Sequence, residues 1–150
     1  MSEHKATVTW KRETKDFAYD TYDRTHTVTF EGGISIRGSA AKEFLGKPEH
    51  ANPEELFAAA LSSCHMLTFL AIAAKSRLTV ESYEDNAVAI LETNAAGKLA
   101  ITKTVLRPKV VFATATPVTR EKLVDLHDKA HRNCFIANSV ACEVVTEPLG

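Results

Sequence analysis

The chain has 150 residues, the size of one ordinary domain, with 45% hydrophobic and 25% charged residues. That usage is average for a globular protein and excludes a disordered tail, a collagen-like chain and a disulfide-dense miniprotein. Lys and Arg number 18 against 19 Asp and Glu, a formal net charge of -1, so the composition carries no electrostatic footprint for nucleic acid or an anionic membrane surface.

No segment reaches the roughly 18 consecutive apolar residues of a bilayer span. The longest apolar region, Leu56 to Ala74, is interrupted by Ser62, Ser63, His65 and Thr68. The start, Met1-Ser2-Glu3-His4-Lys5, lacks the basic and apolar stretches of a signal peptide. These features place the chain in the cytoplasm, where three cysteines stay reduced and a working thiol is favoured over a structural disulfide. With no repeat and no Gly/Ser/Pro-rich linker, residues 1–150 read as a single domain.

Ala6 to Trp10 alternates and predicts a short strand. Residues 11 to 24 mix Lys11, Arg12, Phe17, Tyr19, Tyr22 and Arg24 without periodicity. Thr25–Phe30 and Ile34–Arg37 flank Glu31-Gly32-Gly33, the pattern of a hairpin. At Asn52 a helix signal begins: Asn52 suits the N-cap, Pro53 the first helical position, and Glu55 the reciprocal position of a capping box. Leu56, Phe57, Ala60, Leu61, Cys64, Leu67, Thr68 and Ala71 follow at helical spacing, on more than one face. A helix from Pro53 to Lys75 would be about 34 Å long at 1.5 Å per residue, and its all-round apolar character predicts burial in a core or a subunit interface. Ala87–Thr93 predicts a strand, residues 94–98 a turn, and Leu99–Phe112 one long strand in which Pro108 marks an edge or a bulge. A second helix is expected from Thr116-Pro117 to Asn133, with Val118, Leu123, Leu126 and Ala130 on one face. A helical turn and a closing strand, Val140–Thr146, complete the chain. Hairpins without strand–helix alternation predict an α+β fold.

Two cysteines invite a chemical reading. Cys64 lies mid-helix among Phe57, Ala60, Leu61 and Leu67, which fits either an inert buried side chain or a thiol activated by a cation brought from elsewhere in the fold. Cys134 follows Asn133, a residue able to cap a new turn, and thiols at helix starts feel free backbone N–H groups. Cys142 shares strand parity with Val140 and Val144 and reads as packing. His127, His131 and Cys134, with Cys64 or His65, have the residue types of a zinc set, but the spacing matches no paired-cysteine pattern. His26, His50 and His65 read as surface or ordinarily hydrogen-bonded residues.

The run Asn52-Pro53-Glu54-Glu55-Leu56-Phe57-Ala58-Ala59-Ala60-Leu61-Ser62-Ser63-Cys64 closely resembles the OsmC/Ohr family of thiol-dependent peroxidases, whose pattern is Asn-Pro-Glu, then Leu, then a small-residue-rich helix ending in Cys. Ile101 to Pro108 is similar to the family's long strand, and Cys134 follows the second long helix as the family's second cysteine does. The resemblance covers residues 6 to 147. It departs at Phe135, where many relatives carry Pro, and at His65, where relatives often carry an aromatic residue.

The resemblance implies an α+β fold with antiparallel sheets packed around the long central helix, and an intertwined homodimer. It implies reduction of organic hydroperoxides with no metal or other cofactor, Cys64 as the peroxidatic thiol and Cys134 as the resolving one. An external dithiol, lipoyl-type by the family, would complete the cycle. Glu54 matches the carboxylate that pairs with an essential N-terminal arginine. Arg24 is the best-placed match, Arg12 the second and Arg37 the third. Glu54 and Cys64 are ten residues apart, roughly 15 Å along a straight helix, so Glu54 would act through an intermediary or across a subunit interface. The competing reading is a non-catalytic protein of the same fold that binds a small molecule or a partner.

Overall fold

The computed structural model describes residues 1–115 and 117–150. The backbone divides into two compact units, Met1–Leu56 and Phe57–Gly150.

In the first unit, β1 (Ala6–Thr9), β2 (His26–Phe30) and β3 (Ser35–Gly38) form an antiparallel sheet in that order. The predicted hairpin is β2–β3, and its turn places Gly33 at φ 87, a left-handed conformation that favours glycine. Residues 10 to 25 have no helix or strand because their order comes from aromatic packing instead of periodicity. Trp10, Phe17 and Tyr22 meet at 5.1 to 6.4 Å between ring centroids, and the Trp10 indole N–H donates to the Asp23 carbonyl at 2.7 Å. Asp23 in turn accepts the Thr25 hydroxyl, the Thr25 N–H and the Lys47 ammonium. These donors, the Thr25 hydroxyl foremost, hold its carboxyl far below the usual range. At Gly46 a Cβ would lie 1.6 Å from the Ala40 carbonyl oxygen, so only glycine permits that backbone approach.

Helix α1 spans Pro53–Lys75. Its start is the reciprocal box read from the sequence: the Glu55 N–H donates to Asn52 Oδ1 at 2.8 Å, and the Asn52 N–H donates to Glu55 Oε2 at 3.0 Å. By length and composition α1 could also cross a membrane, but its buried row, Leu61, His65, Phe69 and Ala73, packs against protein.

The second unit adds β4 (Val80–Asp85), β5 (Val88–Thr93), β6 (Leu99–Leu106), β7 (Pro108–Phe112), α2 (Arg120–Asn133) and β8 (Glu143–Thr146). Strands β4 and β7 pair antiparallel. In the other sheet β6 lies between β5, antiparallel, and β8, parallel. Phe69 and Ala73 of α1 pack on Leu123, Leu126 and Ala130 of α2, and Val80, Tyr83, Val110 and Phe112 of the β4–β7 sheet close the core. Full burial of one large apolar side chain is worth about 1.5–3 kcal/mol, so this cluster contributes several kcal/mol to the stability of the unit.

Three expectations change. The long strand predicted over Leu99–Phe112 is two strands in two sheets, divided at Arg107. Pro108 has no N–H to give a ladder, so it opens β7, and the Arg107 N–H donates to the Asp85 carboxylate at 2.6 Å. Strand β4 has no counterpart in the sequence reading, because the polar Glu81, Ser82, Glu84 and Asp85 leave Val80 and Tyr83 as its only apolar positions. The second helix starts at Arg120, with the Thr119 hydroxyl as its cap. Thr116, where the sequence reading starts it, lies outside the described residues.

Candidate active site: two thiols and a buried histidine pair

Cys64 sits in the middle of α1, half-buried, one residue from the fully buried His65. Its carbonyl accepts the Thr68 hydroxyl at 2.8 Å. Cys134 closes α2 and is 1% exposed. Although 70 positions separate them in the sequence, the fold makes Cys64 a neighbour that helps raise the pKa of the Cys134 thiol, and both thiols are free.

The turn after α2 is built on Cys134. The sequence reading gives the cap to Asn133, but the Asn133 amide donates back to the Lys129 carbonyl. Cys134 takes the cap instead: the Ala137 N–H donates to its sulfur at 3.4 Å and the Asn138 N–H to its carbonyl at 3.0 Å. The backbone N–H groups of Ala137 and Ile136 pull the thiol pKa down, but burial and the neighbouring Cys64 outweigh them, so the thiol is pushed well above its ordinary value. Cys134 is therefore a protonated thiol at neutral pH. Cys142 lies just before β8, half-buried, its sulfur 3.8 Å from the Thr104 hydroxyl.

The residue after Cys64 belongs to a buried histidine pair; the sequence reading leaves His65 on the surface or in ordinary hydrogen bonds and weighs His127 only as a zinc-type residue. His65 and His127 are each 1% exposed. His65 Nε2 and His127 Nδ1 share a hydrogen bond of 2.9 Å, with rings nearly parallel at 6° and centroids 5.3 Å apart. His127 also stacks on Phe69 at 4.3 Å. Burial leads in pushing both down, His65 to about 4 and His127 to about 3, so both rings are neutral at pH 7. The missed signal was periodicity. His65 falls on the Leu61–Phe69–Ala73 row, and His127 lies within the Leu123–Leu126–Ala130 stripe.

Asp85 is a second residue that the sequence reading passes over. Its carboxylate accepts the Ser62 hydroxyl of α1 at 2.5 Å and the Arg107 N–H at 2.6 Å. One side chain thus ties α1 to the break between β6 and β7. Among the described residues, no group of three or more His, Cys, Asp or Glu side chains is arranged to hold a metal ion, so Cys64, His127, His131 and Cys134 do not form such a set.

In the first unit, Arg24 donates to the carbonyls of Tyr19 at 2.6 Å and Tyr22 at 3.0 Å, with its guanidinium 4.0 Å above the Tyr22 ring. Glu54 keeps Oε2 buried with no hydrogen-bond partner, and among the described residues no ion pair joins it to Arg24. Arg12 donates to the carbonyls of Thr14 and Lys15, and Arg37 to the Thr27 hydroxyl. An open cavity of about 430 Å³ lies in this unit, walled by Trp10, Phe17, Tyr22, Arg24 and His26.

A family model for OsmC-like proteins matches residues 46–148. An OsmC-like protein of unknown function from Vibrio cholerae is 53% identical, with a TM-score of 0.95 over 99% of this chain and 100% of that one. An organic hydroperoxide resistance protein from Elizabethkingia anophelis is 21% identical, with a TM-score of 0.74 over 99% of this chain and 94% of that one. The organic hydroperoxide resistance protein OhrB of Bacillus subtilis is 19% identical, with a TM-score of 0.72 over 99% and 98%. At those last two identities the likeness is one of fold. No curated protein matches the chain.

Proposed function

This chain belongs to the OsmC-like family, and from that premise we propose that it is a thiol-dependent peroxidase reducing organic hydroperoxides to alcohols. The observation that carries the reading is that Cys64 and Cys134, far apart in sequence, are free thiols and neighbours in the fold. The Cys64 thiolate attacks the distal peroxide oxygen. The O–O bond breaks, Cys64 becomes a sulfenic acid, and the departing alkoxide takes a proton and leaves as the alcohol. The Cys134 sulfur then displaces the sulfenic oxygen as water and closes a disulfide. An external dithiol of lipoyl type reopens it by exchange, itself becoming the disulfide.

Arg24 is the cation assigned to the Cys64 thiolate, since a guanidinium stays charged at every working pH. Glu54 is its carboxylate partner, supported by a buried Oε2 that lacks a donor. The working form is a homodimer, supported by a β1 strand exposed along its whole length and by Leu67 of α1, 60% exposed; its compartment is the cytoplasm.

Incubation with cumene hydroperoxide and a dithiol tests the reading. Wild type turns over, Arg24→Ala slows the reaction of Cys64, and unchanged Cys64 reactivity in that variant moves the role to Arg12. The aromatic cavity of the first unit favours a second reading, a non-catalytic small-molecule binder. Thiol titration after one equivalent of hydroperoxide separates the two: a peroxidase loses two thiols per chain reversibly, a binder none.

A further inference from the structure

We propose that the hydrogen bond between His65 and His127 is a positioning device that holds Cys64 against Cys134 and so sets how readily the two sulfurs join. The inference rests on the peroxidase reading, which makes that bond a working one.

The placement is specific. His65 is the next residue after Cys64 on α1, and His127 stands seven residues, about two turns, before Cys134 on α2. A bond between the two rings therefore links the two helices beside their thiols. A disulfide tolerates only a narrow range of geometry, with Cβ atoms roughly 3.5–4.5 Å apart. A small slide or rotation of either helix moves its sulfur out of that range.

Apolar packing alone resists such a slip poorly, because it is non-directional. An N–H···N bond 2.9 Å long between parallel rings fixes both rotation and height. The pair is also an expensive way to fill a core. Among the described residues, His65 Nδ1 and His127 Nε2 are buried with no hydrogen-bond partner, and two apolar side chains of similar size would leave no such atoms. A pair kept despite that penalty is explained by what its direction enforces. Neutrality preserves it: burial disfavours a charge on either ring, His131 adds to this at His65, and His65 and Arg120 do so at His127, while Asp85 opposes it at His65.

The test is equilibration of the full chain with reduced and oxidised glutathione at pH 7, with the Cys64–Cys134 disulfide quantified by peptide mass mapping. Two protein thiols and one oxidised glutathione give one protein disulfide and two reduced glutathiones, so no peroxide enters. His127→Phe keeps a ring against Phe69 and removes both nitrogens. It is expected to lower the disulfide equilibrium constant roughly tenfold, about 30 mV for this two-electron couple, with the thermal midpoint unchanged or raised. The double variant His65→Gln/His127→Asn places amides where the bonded nitrogens were and is expected to return to within about threefold of wild type. His65→Leu carries the same expectation as His127→Phe from the other helix, should the latter fail to fold. An unchanged equilibrium constant in a folded apolar variant overturns the proposal, as does a loss that the amide pair does not restore. A wild-type chain that forms this disulfide from glutathione yet consumes no organic hydroperoxide overturns the peroxidase reading and leaves the positioning role standing.

Discussion

Cys64 lies mid-helix and half-buried, with no residue of its own turn donating to its sulfur, whereas Cys134 closes a helix, is sealed from solvent and carries the Ala137 N–H on its sulfur. The first setting leaves the thiol partly open to solvent. The second keeps a thiol protonated and out of reach until its neighbour changes. On the proposed peroxidase reading, exposure and backbone placement would give two identical side chains the different tasks of nucleophile and resolver. The difference also explains why the local sequence around Cys134, which promised a stabilised thiolate, points the wrong way: burial outweighs the turn's N–H groups.

The largest test of this contrast is Cys64→Ser. It is expected to cut hydroperoxide turnover by ~10³-fold or more, the scale of losing a nucleophile; near-normal turnover would dissolve the distinction. Cys134→Ser is expected to keep the first turnover and then stall with a sulfenic acid trappable by dimedone. In wild type, closure of the disulfide should accelerate as pH rises past the ordinary thiol value of about 8.5, because the Cys134 pKa is raised. Stopped-flow measurement of both steps against pH checks that asymmetry.

The next effect is on stability. His65 and His127 are harder to protonate in the folded chain than in the unfolded one, where the ordinary value is about 6.5. Their contribution is therefore complete above about pH 6.5. It is lost as pH falls toward 4 and then 3, by on the order of a few kcal/mol. Urea midpoints at pH 7.5 and 4.5 measure it, and a His65→Phe/His127→Phe double variant should flatten the profile. Asp85→Ala removes the acceptor shared by Ser62 and Arg107, loosening the helix of Cys64 more than the turn of Cys134. Its expected cost is about 2 kcal/mol, a drop of several degrees in Tm. Asn52→Ala breaks one half of the capping box at the far end of the same helix, for about 1 kcal/mol by the same assay.

Much of the fold was legible because its signals are local. The start of the long helix at Pro53 could be fixed to the residue, since Asn52, Pro53 and Glu55 act within one turn. The hairpin was carried by Gly32-Gly33. What escaped depends on partners distant in sequence. Strand β4 is recognisable only beside β7, and the change of sheet at Arg107 only with Asp85 opposite. The histidine pair shows the same limit. Each ring occupied a core position in its own helix, yet nothing within either helix announced the other. The two thiols were legible as a pair through resemblance to a family, not through spacing.

Trp10 is the chain's one tryptophan, and it sits in the aromatic cluster of the first unit. Intrinsic tryptophan emission therefore originates in Met1–Leu56, while far-ultraviolet dichroism is dominated by two helices lying almost wholly in Phe57–Gly150. A single denaturation run followed by both signals is enough to learn whether the two halves melt together or in sequence.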